Sequence, residues 1–237
     1  MTIVSSSLIF WALPMIASFA LFFGYLTFIN FKPAKSTKKI EQNFTEVTVK
    51  DGINYVKKNK NIYVLLLLGF GMMVFWAFSQ PLLPLYSKDV LNIGGSGYAI
   101  LNGLYFFGSM IGSLLITFST VKIKKSRILF ISALMFSIFQ ILLYNSNAPI
   151  LSGILIVASG VSHSIWWISI LVYLQTISDE KYKGRVVGFY FSLLVSVSIG
   201  SILGGLISEL IGIKPTVYLA MACLMAIHSV AFMLSLI

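Results

Sequence analysis

The run 61-NIYVLLLLGFGMMVFWAFSQPLLPLY-86 decides the fold class, because it holds no charged residue from end to end. Wound as a helix at about 1.5 Å per residue, it is long enough to cross the roughly 30 Å hydrocarbon core of a bilayer. Working outward from it, six further apolar runs occupy residues 8–30, 97–119, 128–144, 149–176, 187–211 and 216–237. They predict an all-α membrane protein, a helical bundle of about seven transmembrane helices. The run at 128–144 is the shortest. The run at 149–176 is long enough to tilt or to project from the membrane.

Composition agrees. The chain is 58% hydrophobic and 10% charged, with a mean hydropathy of +0.93, whereas a soluble domain carries about 25% charged residues. Its expected partner is the lipid bilayer. The net charge of +10 raises nucleic-acid binding as a function class, but the lysines sit in short loops between apolar runs, which argues against it. The segment 31–60 holds Lys32, Lys35, Lys38, Lys39, Lys50, Lys57, Lys58 and Lys60. The loop 120–127 holds Lys122, Lys124, Lys125 and Arg127, and the loop 177–186 holds Lys181, Lys183 and Arg185. The alternate loops hold only Lys88 and Lys214. Fifteen basic residues against two place the lysine-rich loops, and the C-terminus, in the cytoplasm and the N-terminus outside. Basic residues follow the first apolar run rather than precede it, the reverse of a signal peptide. The single cysteine, Cys223, excludes an internal disulfide and reads as a small packing residue.

The segment after the first run is amphiphilic. Pro33 ends the first helix. Within 48–60, Val49, Ile53 and Val56 recur at helical spacing with Lys50, Lys57 and Lys58 on other faces. This predicts a short amphipathic helix, either lying at the headgroup surface or packed on the bundle.

Small and polar residues then mark the inner faces. Glycines four apart permit close backbone approach in lipid. They occur at 108-GSMIG-112 and 200-GSILG-204, so Gly108, Gly112, Gly200 and Gly204 are expected helix-packing positions. A polar stripe runs through Asn102, Tyr105, Ser109, Ser113 and Thr117, and another through Ser152, Ser159, Ser162, Trp166, Ser169 and Tyr173. Such stripes face a cavity or another helix. The runs at 128–144 and 216–237 are more evenly apolar and suit peripheral positions. His163 falls near the centre of its run, where an ionisable group is costly. It either binds substrate or carries a proton, or it is a neutral imidazole bonded across a packing interface. Trp166 either stacks a ligand or packs. Glu209, near an outer end, and His228 read as structural.

No phosphate loop, metal-ligand spacing or nucleophile elbow is present in a plausible context. No cofactor, metal or catalytic residue is expected, and enzyme function is not.

Three stretches carry a resemblance. The loop 177-ISDEKYKGRVVG-188, with Asp179, Glu180, Lys183, Gly184, Arg185 and Gly188, resembles the loop between helices ten and eleven of the major facilitator superfamily. The segment 81-PLLPLY-86 resembles helix seven and its exit. The segment 108-GSMIG-112 followed by Lys122, Lys124, Lys125 and Arg127 resembles helix eight and its basic loop. The nearest subgroup is the bacterial drug, macrolide and siderophore exporters. The resemblance covers roughly residues 45–237. It implies a bacterial plasma-membrane transporter whose substrate site lies at the interface of two six-helix halves. Residues 1–31 then correspond to helix six, 32–60 to the cytoplasmic linker, and 61–237 to the C-terminal half. The segment 111–127 lacks the aspartate of the superfamily's main signature, and the antiporter motif of helix five is absent. The chain is thus expected to be an N-terminally truncated exporter of a small amphiphilic substrate, with Gln80, Asn102, Ser109, His163 and Trp166 facing the cavity. The alternatives are a half-transporter that pairs with another half, and a non-transporting membrane scaffold.

Overall fold

The computed structural model describes residues 48–118 and 124–233. The first apolar run, at 8–30, and the linker up to residue 47 lie outside them. Among the described residues there is no strand, and six helices are long and apolar enough to cross a membrane.

Helix α1 spans Val49–Lys58. Its start is set by Thr48: the Thr48 hydroxyl accepts from the backbone N–H of Asp51, and the Asp51 carboxylate accepts in return from the Thr48 N–H at 3.0 Å. This reciprocal cap satisfies donors that the first turn otherwise leaves free. Asp51 sits in the first turn and Lys57 and Lys58 in the last, each complementing the helix dipole. The buried face is Gly52 and Val56, while Val49 and Ile53 remain exposed. Of the two readings of this helix, packing on the bundle describes the Gly52–Val56 side.

The first of the described spans is broken. Helix α2, Lys60–Phe78, ends where Pro81 removes a backbone donor. A short helix α3, Leu82–Leu85, and a π-helical turn, Tyr86–Val90, complete the crossing. The Tyr86 hydroxyl fixes this end. Its proton reaches the carbonyls of Leu143 (2.6 Å) and Ser146 (2.8 Å), and its oxygen lies 2.7 Å from Ser152 Oγ. Then follow α4 (Gly94–Phe118), α5 (Lys125–Asn145) and α6 (Pro149–Ile177). The fifth crossing is also broken, into α7 (Lys183–Ser192) and α8 (Val195–Ile211). No proline causes this break. Leu193, Leu194, Ser196 and Val197 each donate to the carbonyl three residues back, and the Ser192 and Ser196 hydroxyls bond to carbonyls of the preceding turn, which tightens and bends the helix. Helix α9, Ile213–Met233, closes the unit.

Helix α4 packs along α6, α6 along α5, α5 against α9, and α2 against both α8 and α9. The core runs through Leu65, Met72, Phe136, Trp166, Ile170 and Met221, all fully buried. One expectation is reversed within this unit. In their most apolar stretches, 44% of the residues of α5 and 39% of those of α9 are buried, against 22% in α4 and in the α7–α8 crossing. Apolarity alone does not sort a membrane helix, since lipid and neighbouring helices are equally apolar partners.

Candidate functional site

Two glycine seams hold the helices that carry the site. A Cβ at Gly108 would overlap the Val157 carbonyl oxygen, one at Gly112 that of Val161, and one at Gly160 that of Tyr105. The backbones of α4 and α6 therefore meet directly. In the second seam, Gly200 lies against the Val74 carbonyl, and a Cβ at Gly204 would stand 2.5 Å from the Phe78 carbonyl oxygen. By contrast nothing lies within 4 Å of a Cβ at Gly205. Ser109 spans the first seam, its hydroxyl lying 3.1 Å from the Tyr105 carbonyl and 3.3 Å from that of Gly160.

Close approach brings the polar stripes together. Helix α6 has 29 residues with His163 at its centre, leaving about 21 Å of helix on either side. The Trp76 indole N–H donates to the Tyr105 hydroxyl oxygen at 2.9 Å, and that hydroxyl lies 2.7 Å from His163 Nδ1. An indole nitrogen only donates, so the hydroxyl is free to give its own proton to Nδ1. This order satisfies the indole N–H, the hydroxyl and Nδ1, and leaves the imidazole proton on Nε2. Rings surround the imidazole. Trp76 stacks on it with centroids 5.2 Å apart and planes 11° apart. Phe136 and Trp167 stand at 5.4 and 6.1 Å, and Trp167 continues to Tyr190 at 5.4 Å.

Tyr105 also borders a polar cavity of about 20 Å³ lined by Ser79, Gln80, Asn102, Gln140 and Tyr144, room for one water. The Gln140 Oε1 atom there is buried without a hydrogen-bond partner among the described residues. Gln80, Asn102 and His163 are thus joined through Tyr105, and Ser109 lies one turn further along α4. Trp166 is placed elsewhere. It is fully buried, and its indole N–H donates to His228 Nε2 at 3.1 Å, while His228 Nδ1 donates to the Leu224 carbonyl at 3.0 Å. Trp166 and His228 form a packing pair between α6 and α9. Trp76, Phe136, Trp167 and Gln140 were not singled out from sequence. The signal available was a set of aromatic and amide side chains inside otherwise aliphatic runs.

The motif 177–188, expected as a loop, is one only up to Tyr182; Lys183, Gly184, Arg185 and Gly188 already lie in α7, and the junction sits beneath α1. Asp179 donates its backbone N–H to the Tyr55 hydroxyl at 2.8 Å, and Tyr55 stacks on Tyr182 at 4.2 Å. Glu180 pairs with Lys183. A Cβ at Gly52 would meet Arg185 Cβ at 3.1 Å, so α1 rests on the Arg185 stem. Gly184 and Gly188 face open space. Burial pushes the Tyr55 phenol above its usual range, and the N–H that Asp179 donates to the phenol oxygen only partly offsets it. The Thr48 hydroxyl, then the Thr48 backbone, hold the Asp51 carboxyl below its usual range. Among the described residues no three of His, Cys, Asp or Glu converge on a point that could hold a metal.

Searched against curated proteins and against solved structures, the chain finds no match. The family model described as Major Facilitator Superfamily matches residues 1–192 and again 65–237. With matches that each span most of the chain, on an all-α unit with six membrane-length helices, this protein belongs to the major facilitator superfamily, a family of membrane transporters.

Proposed function

We propose that the chain is part of a secondary transporter that exports a small amphiphilic compound from a bacterium by alternating access. In this reading residues 61–237 are the C-terminal half, 32–60 are the cytoplasmic linker and 1–31 are the last helix of an N-terminal half that is truncated here. The N-terminus lies outside and the C-terminus in the cytoplasm. The observation that carries the reading is the Trp76–Tyr105–His163 array at the centre of α6. It offers flat aromatic surface to an apolar body and an Nε2–H donor to an acceptor group, at mid-membrane depth where a carrier's substrate site belongs. Gln80 and Asn102 extend the polar surface through Tyr105. Ser109 and Trp166 serve by holding α6 against α4 and α9. Asp179 and Glu180 form the inner hinge between α6 and α7, and Lys183, Gly184, Arg185 and Gly188 open α7 beside it.

A second reading, pairing with a separate half, is favoured by the face of α4. There Phe106, Phe107, Met110, Leu114 and Leu115 are all exposed, and they could meet a complementary bundle.

Accumulation of an amphiphilic fluorescent dye in cells tests the proposal. Cells carrying the chain joined to an N-terminal half should retain less dye than cells carrying either part alone. Export by the chain alone, with cross-linked dimers in detergent, would favour self-pairing. No export in any arrangement would sink the transporter reading in favour of a scaffold.

A further inference from the structure

A second site lies away from the His163 array, on the flank formed by α2 and α9. These helices meet where Gly71 faces Ile227, with 3.5 Å between a Cβ at Gly71 and Ile227 Cδ1. On the side of that contact nearer the start of α2, a gap opens between them. The gap is a cleft of about 320 Å³ lined by Val64, Leu67, Leu68, Ala226, Val230 and Ala231. Leu68 and Ala231 form its buried floor, while Leu67 and Val230 are exposed walls. The volume falls at the low end of the roughly 300–1,000 Å³ seen for small-molecule sites. The lining has no hydrogen-bonding side chain, so the cleft suits a hydrocarbon.

The charge at the open end says which hydrocarbon. Lys60 lies one helical turn before Val64, on the same face of α2. Helical Cα–Cβ bonds tilt toward the N-terminus, so the Lys60 stem leads away from the cleft toward the membrane surface. Lys57 and Lys58 precede it in the last turn of α1. All three lysines are exposed, and among the described residues none is paired with a carboxylate. A basic cluster at the mouth of an apolar cleft complements a ligand with an anionic head and an acyl tail.

We infer that the α2–α9 cleft is a specific site for one anionic phospholipid, its acyl chain between Val64 and Val230 and its phosphate at Lys60.

Intact-protein mass spectrometry tests this on the full chain, released from detergent micelles that contain equal phosphatidylglycerol and phosphatidylcholine. The wild type should retain one phosphatidylglycerol in preference to phosphatidylcholine by about tenfold. Lys60→Gln should reduce that preference at least threefold. Lys124→Gln, an exposed lysine that does not line the cleft, should leave it unchanged. Ala226→Phe, which fills the cleft from its exposed side, should abolish retention of either lipid. Equal retention of the two lipids by the wild type would overturn the inference. So would an unchanged preference in Lys60→Gln, or an equal loss in Lys124→Gln, which would mark a generic charge effect. If Ala226→Phe does not fold, the two lysine variants decide the matter.

Discussion

The α2–α8 seam offers a prediction in which two neighbouring glycines act as test and control. Both Gly204 and Gly205 lie in α8. A Cβ at Gly204 would stand 2.5 Å from the Phe78 carbonyl oxygen and 2.7 Å from the Phe78 Cα. Carbon and oxygen settle no closer than about 3.3 Å even in weak hydrogen bonds, so Gly204→Ala must part the two helices by roughly 0.8 Å. The obstacle is backbone, and no side-chain rotation relieves it. Overpacking of this kind costs about 1–3 kcal/mol. Alanine also gains about 0.5–1 kcal/mol in helix propensity over glycine, but Gly205→Ala gains the same with nothing within 4 Å to meet. The difference between the two variants therefore isolates the clash, at about 1–3 kcal/mol. At roughly 2–4 °C per kcal/mol for a chain of this size, Gly204→Ala should melt about 2–12 °C below Gly205→Ala. Thermal unfolding of the two purified variants in one detergent reads this directly. A Gly204→Ala protein as stable as Gly205→Ala would refute close packing of α2 on α8.

Other perturbations reach the site and the linker. Tyr105→Phe strands both the Trp76 indole N–H and His163 Nδ1. It should destabilise the protein by about 1–3 kcal/mol, and nitrogen shifts of labelled histidine should lose the single His163 tautomer. An unchanged histidine spectrum would contradict the donor order. Tyr55→Ala removes the acceptor for the Asp179 N–H and the stack on Tyr182, so amide exchange in α1 should quicken while exchange in α5 stays unchanged. The Asp51 carboxyl titrates below its ordinary 3.8 because Thr48 bonds to its charged form. A folded pKa held below the unfolded one gives a stabilisation present above about pH 4 and lost as pH falls through the folded value. A spin label at Ile53 should therefore gain mobility below pH 4 and show no change between pH 5 and 7. Constant mobility down to pH 2 would exclude the reciprocal cap.

Much of this architecture is legible in the chain itself. The six described spans could be read because long, nearly uncharged apolar runs have no other solvent than lipid. The packing glycines could be read because only a missing Cβ lets two carbonyl-bearing backbones touch. The central position of His163 in its helix was legible from its place in the apolar run. The breaks were less so: Pro81 announces one, but the bend at Leu193–Leu194 arises from hydrogen bonds three residues apart, which any sequence can form. Nor does sequence say which way adjacent side chains turn. His163 and Trp166 are three residues apart, yet one meets Tyr105 on α4 and the other meets His228 on α9. Their partners lie 58 and 62 residues away, and only the fold chooses between them. Tyr55 was missed for the same reason, since its partner Asp179 is 124 residues distant.

The central claim, that the His163 array handles substrate in an exporter, is tested most directly by efflux rates in the chain joined to its complementary half. His163→Ala should lower the initial rate of dye export at least tenfold at equal membrane abundance. Trp166→Phe, which shrinks a buried ring between α6 and α9 and removes the bond to His228 without touching the array, should export at close to the wild-type rate at equal membrane abundance. Undiminished export by His163→Ala would contradict the account.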